Sequence, residues 1–157
     1  MLDFMQMEDK NVGNQPSQYV VLLLERKSLY KTWTPMFCTA LRSYVHFGMR
    51  GFNHLRFNID NTPRHPKEAM YKMGLLPLVK PVIYNATSAE YIRRLAPLGG
   101  TRKIVLREMD YWALTAVVGK QDVKVRVVLR KLVNSDQVHF WSVMKLGENQ
   151  KDPGLDS

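Results

Sequence analysis

The sequence predicts an α+β domain in which N-terminal helices and an irregular hairpin pack on a C-terminal antiparallel sheet. Helical signals come first, and three β-rich runs then follow one another: Tyr111–Val118, Val123–Val133 and Val138–Met144. Two turn signals, at 119–122 and 134–136, separate these runs. The simplest arrangement of the runs is a three-stranded meander. Helices that precede a terminal antiparallel sheet are typical of the α+β class.

Length and charge narrow the class of protein. The 157 residues suit one domain, which we expect to span residues 19–147, with flexible tails at 1–18 and 148–157. Lys and Arg number 23 against 14 Asp and Glu, which gives a net charge of +9. A domain this basic suggests a nucleic acid, an anionic membrane surface or an acidic protein as partner.

Several classes of site are not indicated by the sequence. The single cysteine, Cys38, excludes an intrachain disulfide and a multi-cysteine zinc site. No phosphate-binding glycine loop or nucleophile elbow is present, and the four histidines match no usual metal spacing. We therefore expect neither a cofactor nor a metal. The apolar runs are too short to span a bilayer and the N-terminus lacks a secretion signal, so we expect a cytoplasmic protein without a membrane partner.

Local signals before the meander predict the following elements. The apolar run Tyr19–Leu24 fits either a buried strand or the start of a helix. A short helix is predicted over 35–42, and an irregular hairpin over 44–57. A helix is predicted to begin at Pro66, because proline suits the first helical position, and to stop near Gly74.

The next segment is predicted to reach the meander through one more helix. Two prolines in Leu75–Ile83 favour a buried connection with short helical turns. Ser88–Leu95 is predicted to be a helix with Ser88 as its N-cap. Residues 103–107 are predicted to form a strand that leads into the sheet.

The middle run of the meander carries cations on one side only. Val123, Val125 and Val127 alternate with charged residues, so the opposite face of this strand is basic. Fixed cations on a sheet face suit an anionic partner, although a solvated face with ordinary charges is the plainer alternative. The basic face and the last run together contribute Lys124, Arg126, Arg130, His139, Trp141 and Ser142.

The sequence does not determine which residues of the last run lie on the basic face. His139 and Ser142 point to opposite sides of a flat strand because their separation is odd. A three-residue loop at 134–136 puts Ser142 on the basic side, whereas a two- or four-residue loop puts His139 there with Trp141. A bulge would bring both residues near one pocket.

Basic residues beside histidine and serine match the needs of RNA cleavage without a metal. A base must take the proton of the ribose 2′-OH, an acid must protonate the departing 5′-oxygen, and cations must stabilise the phosphorane-like transition state. The predicted catalytic residues are His54, His139, Arg126, Arg130 and Ser142. The predicted substrate-binding residues are Asn53, Arg56, Lys124, Trp141 and Lys145. A packing role for the histidines and a core role for the tryptophan are the alternatives, and His46 and His65 are interpreted as structural.

Two segments, in a chain whose helices precede an antiparallel sheet, resemble a known superfamily. Asn53–Phe57 (NHLRF) and Val138–Val143 (VHFWSV) resemble motifs of the barnase, EndoU, colicin and RelE-like ribonucleases, in particular their phage-associated and polymorphic-toxin members. The resemblance covers about residues 50–146. It implies a metal-independent endoribonuclease that leaves a cyclic phosphate and acts on tRNA or mRNA. The matching positions are His54 with Arg56, Arg126 with Arg130, and His139 with Ser142.

Partners follow from the same resemblance. A ribonuclease toxin would have an immunity or antitoxin protein, and an acidic one would complement the basic face. Two other functions stay open. A non-catalytic RNA-binding module on the same sheet would show salt-sensitive RNA affinity without cleavage, and a protein-interaction domain would not bind nucleic acid at all.

Overall fold

One mixed sheet of six strands organises the computed structural model, which describes residues 17–99 and 101–147. The strands are β1 (Met36–Cys38), β2 (Ser43–His46), β3 (Glu90–Pro97), β4 (Leu106–Val118), β5 (Val123–Leu132) and β6 (Val138–Lys145). The helices are α1 (Gln18–Lys31), α2 (Met49–His54), α3 (Pro66–Leu75) and α4 (Val79–Asn85), with a 3₁₀ turn at Leu76–Leu78. The α+β class is therefore confirmed.

The predicted meander forms the centre of the sheet. The strand order is β1-β2-β6-β5-β4-β3, and β4, β5 and β6 pair antiparallel as predicted. The β4–β5 turn contains Gly119 (φ 81°) and Asp122 (φ 51°), two residue types that accept positive φ. The sheet extends beyond the meander on both sides, because β3 pairs antiparallel with β4 and β2 pairs in parallel with β6.

The main core lies between one face of the sheet and the helices. Val125, Val127 and Leu129 of β5 point into this core, which confirms the predicted apolar side of that strand. The opposite face carries Arg126 and Arg130, and we call it the distal face. A smaller apolar cluster covers part of the distal face, and its buried members are Ala96, Met109, Tyr111 and Trp141.

Two predictions in the N-terminal third were wrong. The segment predicted as a helix over 35–42 forms β1 and a turn. The segment predicted as a hairpin over 44–57 consists of β2 followed by α2, so only its first arm is a strand. Gly51 lies inside α2, and a Cβ there would lie 2.3 Å from the carbonyl oxygen of Phe140. This glycine lets α2 pack closely on β6, and it is not a hairpin bend.

The predicted helix over Ser88–Leu95 was also wrong, because the chain forms β3 there. Eight residues of β3 pair with β4, from Glu90 opposite Ala113 to Pro97 opposite Leu106. The pairing of a whole strand outweighs a modest local helix preference.

The remaining elements agree more closely with the sequence. The ambiguous run at Tyr19–Leu24 belongs to α1, whose first turn is capped by Ser17. Helix α3 begins at Pro66 as predicted, with the Nδ1 atom of His65 accepting a hydrogen bond from the Lys67 amide at 3.1 Å. The predicted connection at Leu75–Ile83 forms short helical turns, whereas only the end of the strand predicted over 103–107 is part of β4.

The predicted tails lie outside the described residues, apart from residues 17 and 18, which cap and begin α1, and residue 147 is the last residue described. None of the described helices is long and apolar enough to cross a membrane.

Candidate functional site

A β-bulge at Trp141 resolves the parity of the last strand. Arg130 pairs with His139, and Val128 pairs with Ser142, so β6 contains one residue more than β5 between these pairs. Directly paired residues lie on the same face, and Arg130 and Val128 are two residues apart on one strand. His139 and Ser142 therefore share the distal face, which a flat strand would not allow.

The indole of Trp141 is stacked between two side chains. The ring of His54 lies 4.0 Å from the indole at an angle of 12°, and the guanidinium carbon of Arg130 lies 3.4 Å from the ring centre. Two planar groups this close to one ring must occupy its opposite faces, since on one face they would overlap. The indole, only 8% exposed, has no free face on which a base could stack.

The guanidinium of Arg130 is bound inside the protein. Its Nη1 atom donates to the carbonyl of Pro97 at 3.1 Å, and its Nη2 atom donates to the carbonyl of Leu98. The side chain is buried, and burial lowers its pKa. Arg130 therefore attaches the β3–β4 connection to the sheet, in addition to its contact with Trp141.

Two cavities adjoin this stack, and residues of α2 line both of them. The Asn53 cavity has a volume of about 330 Å³ and lies between α2, the 57–61 loop and Gly99. The His139 cavity has a volume of about 220 Å³ and lies between α2 and the ends of β5 and β6. Arg50 and Trp141 line both cavities. The two spaces therefore form one candidate site with Arg50 at its centre.

His139 meets a second histidine at the edge of this site. Parallel pairing of β2 with β6 puts His46 in register with His139, and the two ring centres lie 5.5 Å apart. Burial lowers the pKa of His139, and the nearby His46, Arg130 and Arg50 lower it further. Both rings are half-buried. The two imidazoles therefore lie close enough for the charge of His46 to affect the protonation of His139.

His54 is held in its neutral form. Burial lowers the pKa of His54 to about 3, with further contributions from the charges of Arg64, Lys72 and Arg130. The Nη2 atom of Arg64 lies 3.4 Å from Nε2 of His54. Because a guanidinium only donates, Nε2 is the acceptor and the ring proton is on Nδ1. A histidine with this pKa does not act as a general acid near neutral pH.

The predicted cation Arg126 lies away from the cavities. Its side chain is 1% exposed and forms an ion pair with Glu90 at 3.7 Å. It lies on the distal face opposite Thr115 and Met144, and it lines neither cavity. Ser142 is half-buried on the same face and also lines neither cavity.

The predicted substrate-binding residues are dispersed. Asn53 is exposed at the cavity that bears its name, and Arg56 lies with its guanidinium carbon 5.0 Å from the ring centre of Phe57. Lys124 and Lys145 are exposed at one end of the β5–β6 pairing, the end away from His139, and line neither cavity. The structure brings together Asn53, His54, Arg130, His139 and Trp141, and it separates Lys124, Arg126, Ser142 and Lys145 from them.

Sequence reasoning missed Arg50, which lines both cavities, and His46, which lines neither cavity but lies beside His139. Arg50 lies within the segment predicted as a hairpin over 44–57, and His46 was interpreted as structural. No local signal identifies His46, since its neighbour is 93 positions away along the chain and is reached only through the parallel β2–β6 pairing. For Arg50 the signal was Gly51, whose close contact with Phe140 holds α2 against the sheet.

No protein-family model, curated protein or solved structure matches the chain. Within 17–99 and 101–147, no group of three or more His, Cys, Asp or Glu side chains is placed to hold a metal ion.

Proposed function

We propose that the chain is a metal-independent endoribonuclease in which His46 and His139 transfer the protons. The observation that carries the proposal is the contact of these two imidazoles, 5.5 Å apart, with His139 and Arg50 lining one cavity. The net charge of +9 and the resemblance of the NHLRF and VHFWSV segments to ribonucleases also support it.

Proximity favours the protonation state that this reaction needs. Adding a second proton to a pair of close imidazoles is opposed by repulsion between the like charges. The charge of His46 acts in this direction on His139, since it lowers the pKa of that ring. The repulsion therefore favours a neutral His139, which can act as the base, and we assign the role of the acid to His46.

The reaction then proceeds as an internal displacement at phosphorus. The neutral imidazole takes the proton of the 2′-OH, and the 2′-oxygen forms a bond to phosphorus as the bond from phosphorus to the 5′-oxygen breaks. The protonated imidazole gives its proton to that 5′-oxygen. The products are a 2′,3′-cyclic phosphate and a 5′-hydroxyl, and Arg50 stabilises the charge on the non-bridging oxygens.

In this proposal His54 positions the site and does not transfer protons. Its low pKa keeps it neutral, and its stacking on Trp141 holds the bulge that turns His139 toward the distal face. The role in proton transfer that the sequence predicts for His54 therefore passes to His46.

The test uses purified protein and labelled single-stranded RNA in the presence of EDTA. We expect cleavage that ends in cyclic phosphate, and single replacements His46→Ala and His139→Ala should each slow it by at least about a hundredfold. His65→Asn is the matched control, because asparagine can cap α3 in place of histidine and the residue lies outside both cavities. Intact RNA with folded protein at every pH would disprove the proposal.

A non-catalytic RNA-binding module is the second candidate. It is favoured by one observation: Arg130 and Trp141 are engaged in internal contacts, which leaves Arg50 and Asn53 as exposed groups suited to binding. This candidate predicts RNA affinity that falls steeply with salt, no cleavage, and an affinity that His139→Ala leaves unchanged.

The target and partner follow from the same proposal. A ribonuclease of this kind would act in the cytoplasm on tRNA or mRNA. An acidic immunity or antitoxin protein would inhibit it by covering Arg50 and the His139 cavity. Saturation with such a partner should abolish cleavage and exclude RNA from the site.

A further inference from the structure

We infer that the Asn53 cavity is a subsite for one unpaired nucleobase, whose phosphate then lies at Arg50. This inference rests on the proposed function, because it names the part of the RNA that the site recognises. It is carried by the volume of the cavity, the chemistry of its walls and the two side chains at its opening that have no partner among the described residues.

The volume of the Asn53 cavity suits a single nucleotide. It measures about 330 Å³, at the lower end of the range of about 300–1,000 Å³ that is usual for small-ligand sites. A cavity of this volume cannot hold a base pair within a helix. The base must therefore come from a single-stranded segment, where bases are free to turn outward.

The walls of the cavity favour a flat, uncharged ring. Phe57, Ile59 and the edge of Trp141 supply apolar surface, and the imidazole of His54 beside them is neutral. An uncharged heteroaromatic ring loses little hydration on entering such a space, whereas a charged group would lose a great deal.

Two polar side chains at the opening are free to bind this ring and its phosphate. Arg50 and Asn53 are three residues apart on α2, so they lie on the same side of the helix. Both are exposed, and neither side chain forms a hydrogen bond or ion pair with another described residue. By contrast, Nδ2 of Asn58 donates to Thr62 at 3.0 Å and Nδ2 of Asn61 donates to Thr101 at 2.6 Å.

The side chains of Asn53 and Arg50 suit different parts of a nucleotide. The carboxamide of Asn53 presents a donor and an acceptor side by side, which matches the hydrogen-bonding edge of a base. The guanidinium of Arg50 only donates and carries a charge, which matches the oxygens of a phosphate. We therefore assign the base to Asn53 and the phosphate to Arg50.

The position of Arg50 connects the subsite to the histidine pair. Arg50 and Trp141 line both cavities, so a phosphate bound at Arg50 lies at the border of the His139 cavity. A base in the Asn53 cavity would thus bring the phosphate next to it toward His139. The sequence preference of cleavage should then be set at the Asn53 cavity.

The experiment measures binding of a short oligonucleotide that cannot be cleaved. A chimera of 2′-fluoro and 2′-deoxy nucleotides, which lacks the attacking 2′-OH before every phosphate, is titrated into the intact protein by calorimetry, beside the same chimera with one abasic position. We expect the abasic chimera to bind about tenfold more weakly, and we expect Asn53→Ala to reduce affinity for the complete chimera to a similar extent. Asn85→Ala, at an exposed position that lines neither cavity, should leave binding unchanged.

Equal affinity for the complete and the abasic chimera would overturn the subsite, and so would unchanged binding by Asn53→Ala. A free 5′-mononucleotide that binds more tightly than the chimera would overturn RNA as the source of the base. Because the chimera is not cleaved, these outcomes are separate from the cleavage assay. Base-dependent binding without cleavage of RNA would support the subsite and disprove the proposed ribonuclease activity.

Discussion

The guanidinium carbon of Arg130 lies 3.4 Å from the centre of the Trp141 ring, so a cation–π contact joins β5 to β6 where the bulge occurs. The same guanidinium donates to the carbonyls of Pro97 and Leu98. One side chain thus connects β5, β6 and the β3–β4 connection beside the site. An arginine that the sequence marks as a candidate catalyst therefore has a structural use.

Arg130→Lys tests that use. Lysine has a single ammonium in place of a planar fork, so it cannot bond both carbonyls and stack on the indole at once. We expect a loss of about 2–3 kcal/mol in the free energy of unfolding, measured by urea denaturation. Arg107→Lys on the exposed part of β4 is the control and should change stability by less than about 0.5 kcal/mol. Equal effects of the two replacements would contradict the structural role of Arg130.

Gly51→Ala tests the close contact of α2 with β6. A Cβ at this position would lie 2.3 Å from the Phe140 carbonyl oxygen, so the helix must move. We expect a destabilisation of about 1–3 kcal/mol and a displacement of Asn53 and His54, visible as changed NMR shifts around the Asn53 cavity.

Gly74→Ala is the matched control for that replacement. Gly74 lies within α3, and a Cβ there would meet nothing within 4 Å. Alanine should therefore stabilise the protein by about 0.5–1 kcal/mol. A stabilising Gly51→Ala would show that α2 does not pack on β6 in this way.

The protonation of His54 can be followed directly by NMR. Its pKa is lowered from 6.5 to about 3 by burial and by nearby cations, so the folded state favours the neutral ring. The corresponding stability is fully present above about pH 6.5 and is lost as the pH falls from 6.5 toward 3, by up to about 1.4 kcal/mol per pH unit. His139 shifts in the same direction and adds to this slope.

His54→Phe separates the pH-dependent stability contributed by His54 from that contributed by His139. Phenylalanine keeps an aromatic ring on Trp141 but does not titrate. We expect the stability of this variant to depend less on pH between 6.5 and 4 than that of the parent protein. An Hε1 resonance of His54 that titrates near pH 6.5 would contradict the neutral, buried state of this ring.

Asp110→Asn tests the network that joins β3 to β4. Asp110 is buried and accepts hydrogen bonds from Nε of Arg93 at 2.7 Å, from Nη2 of Arg93 at 3.1 Å and from the Tyr91 hydroxyl at 2.5 Å. Arg93 in particular lowers the pKa of Asp110. Because the Arg93 side chain is half exposed and its charge is screened, we expect a loss of about 1–3 kcal/mol at pH 7.

The stability lost in Asp110→Asn should depend on pH. The stability contributed by a carboxyl of lowered pKa is present above its unfolded value of about 3.9 and disappears as the pH falls through the folded value. The difference between Asp110→Asn and the parent protein should therefore shrink below about pH 4 in urea denaturation. Asp122→Asn, in an exposed turn at φ 51° that asparagine tolerates, is the control and should have little effect at any pH.

Features that depend on neighbouring residues were predicted correctly, whereas features that depend on residues far apart in the sequence were not. The meander was predictable because alternation and turn residues lie within each run, and the helix at Pro66 was predictable because its cap is local. Strand β3 was not predictable in this way. Its residues accept either helix or strand, and the paired neighbour Leu106–Val118 decides between them.

In the candidate site, too, the sequence predicted some features and distant contacts decided others. Sequence reasoning selected His54, Arg130, His139 and Trp141, and the structure brings them together, but their environments differ from the simple expectation. Arg130 and Trp141 are engaged with each other, and the pKa of His54 is far below that of a free histidine. Burial and contacts with distant residues set these properties, and neither can be inferred from the order of the residues.

By itself, the sequence determined the α+β class, the central meander and the basic charge, since these depend on composition and on short patterns. Only the tertiary structure decided that His139 and Ser142 share a face, because that depends on one bulge at Trp141. It also decided that His139 meets His46, because a parallel pair of strands brings together residues that lie far apart along the chain.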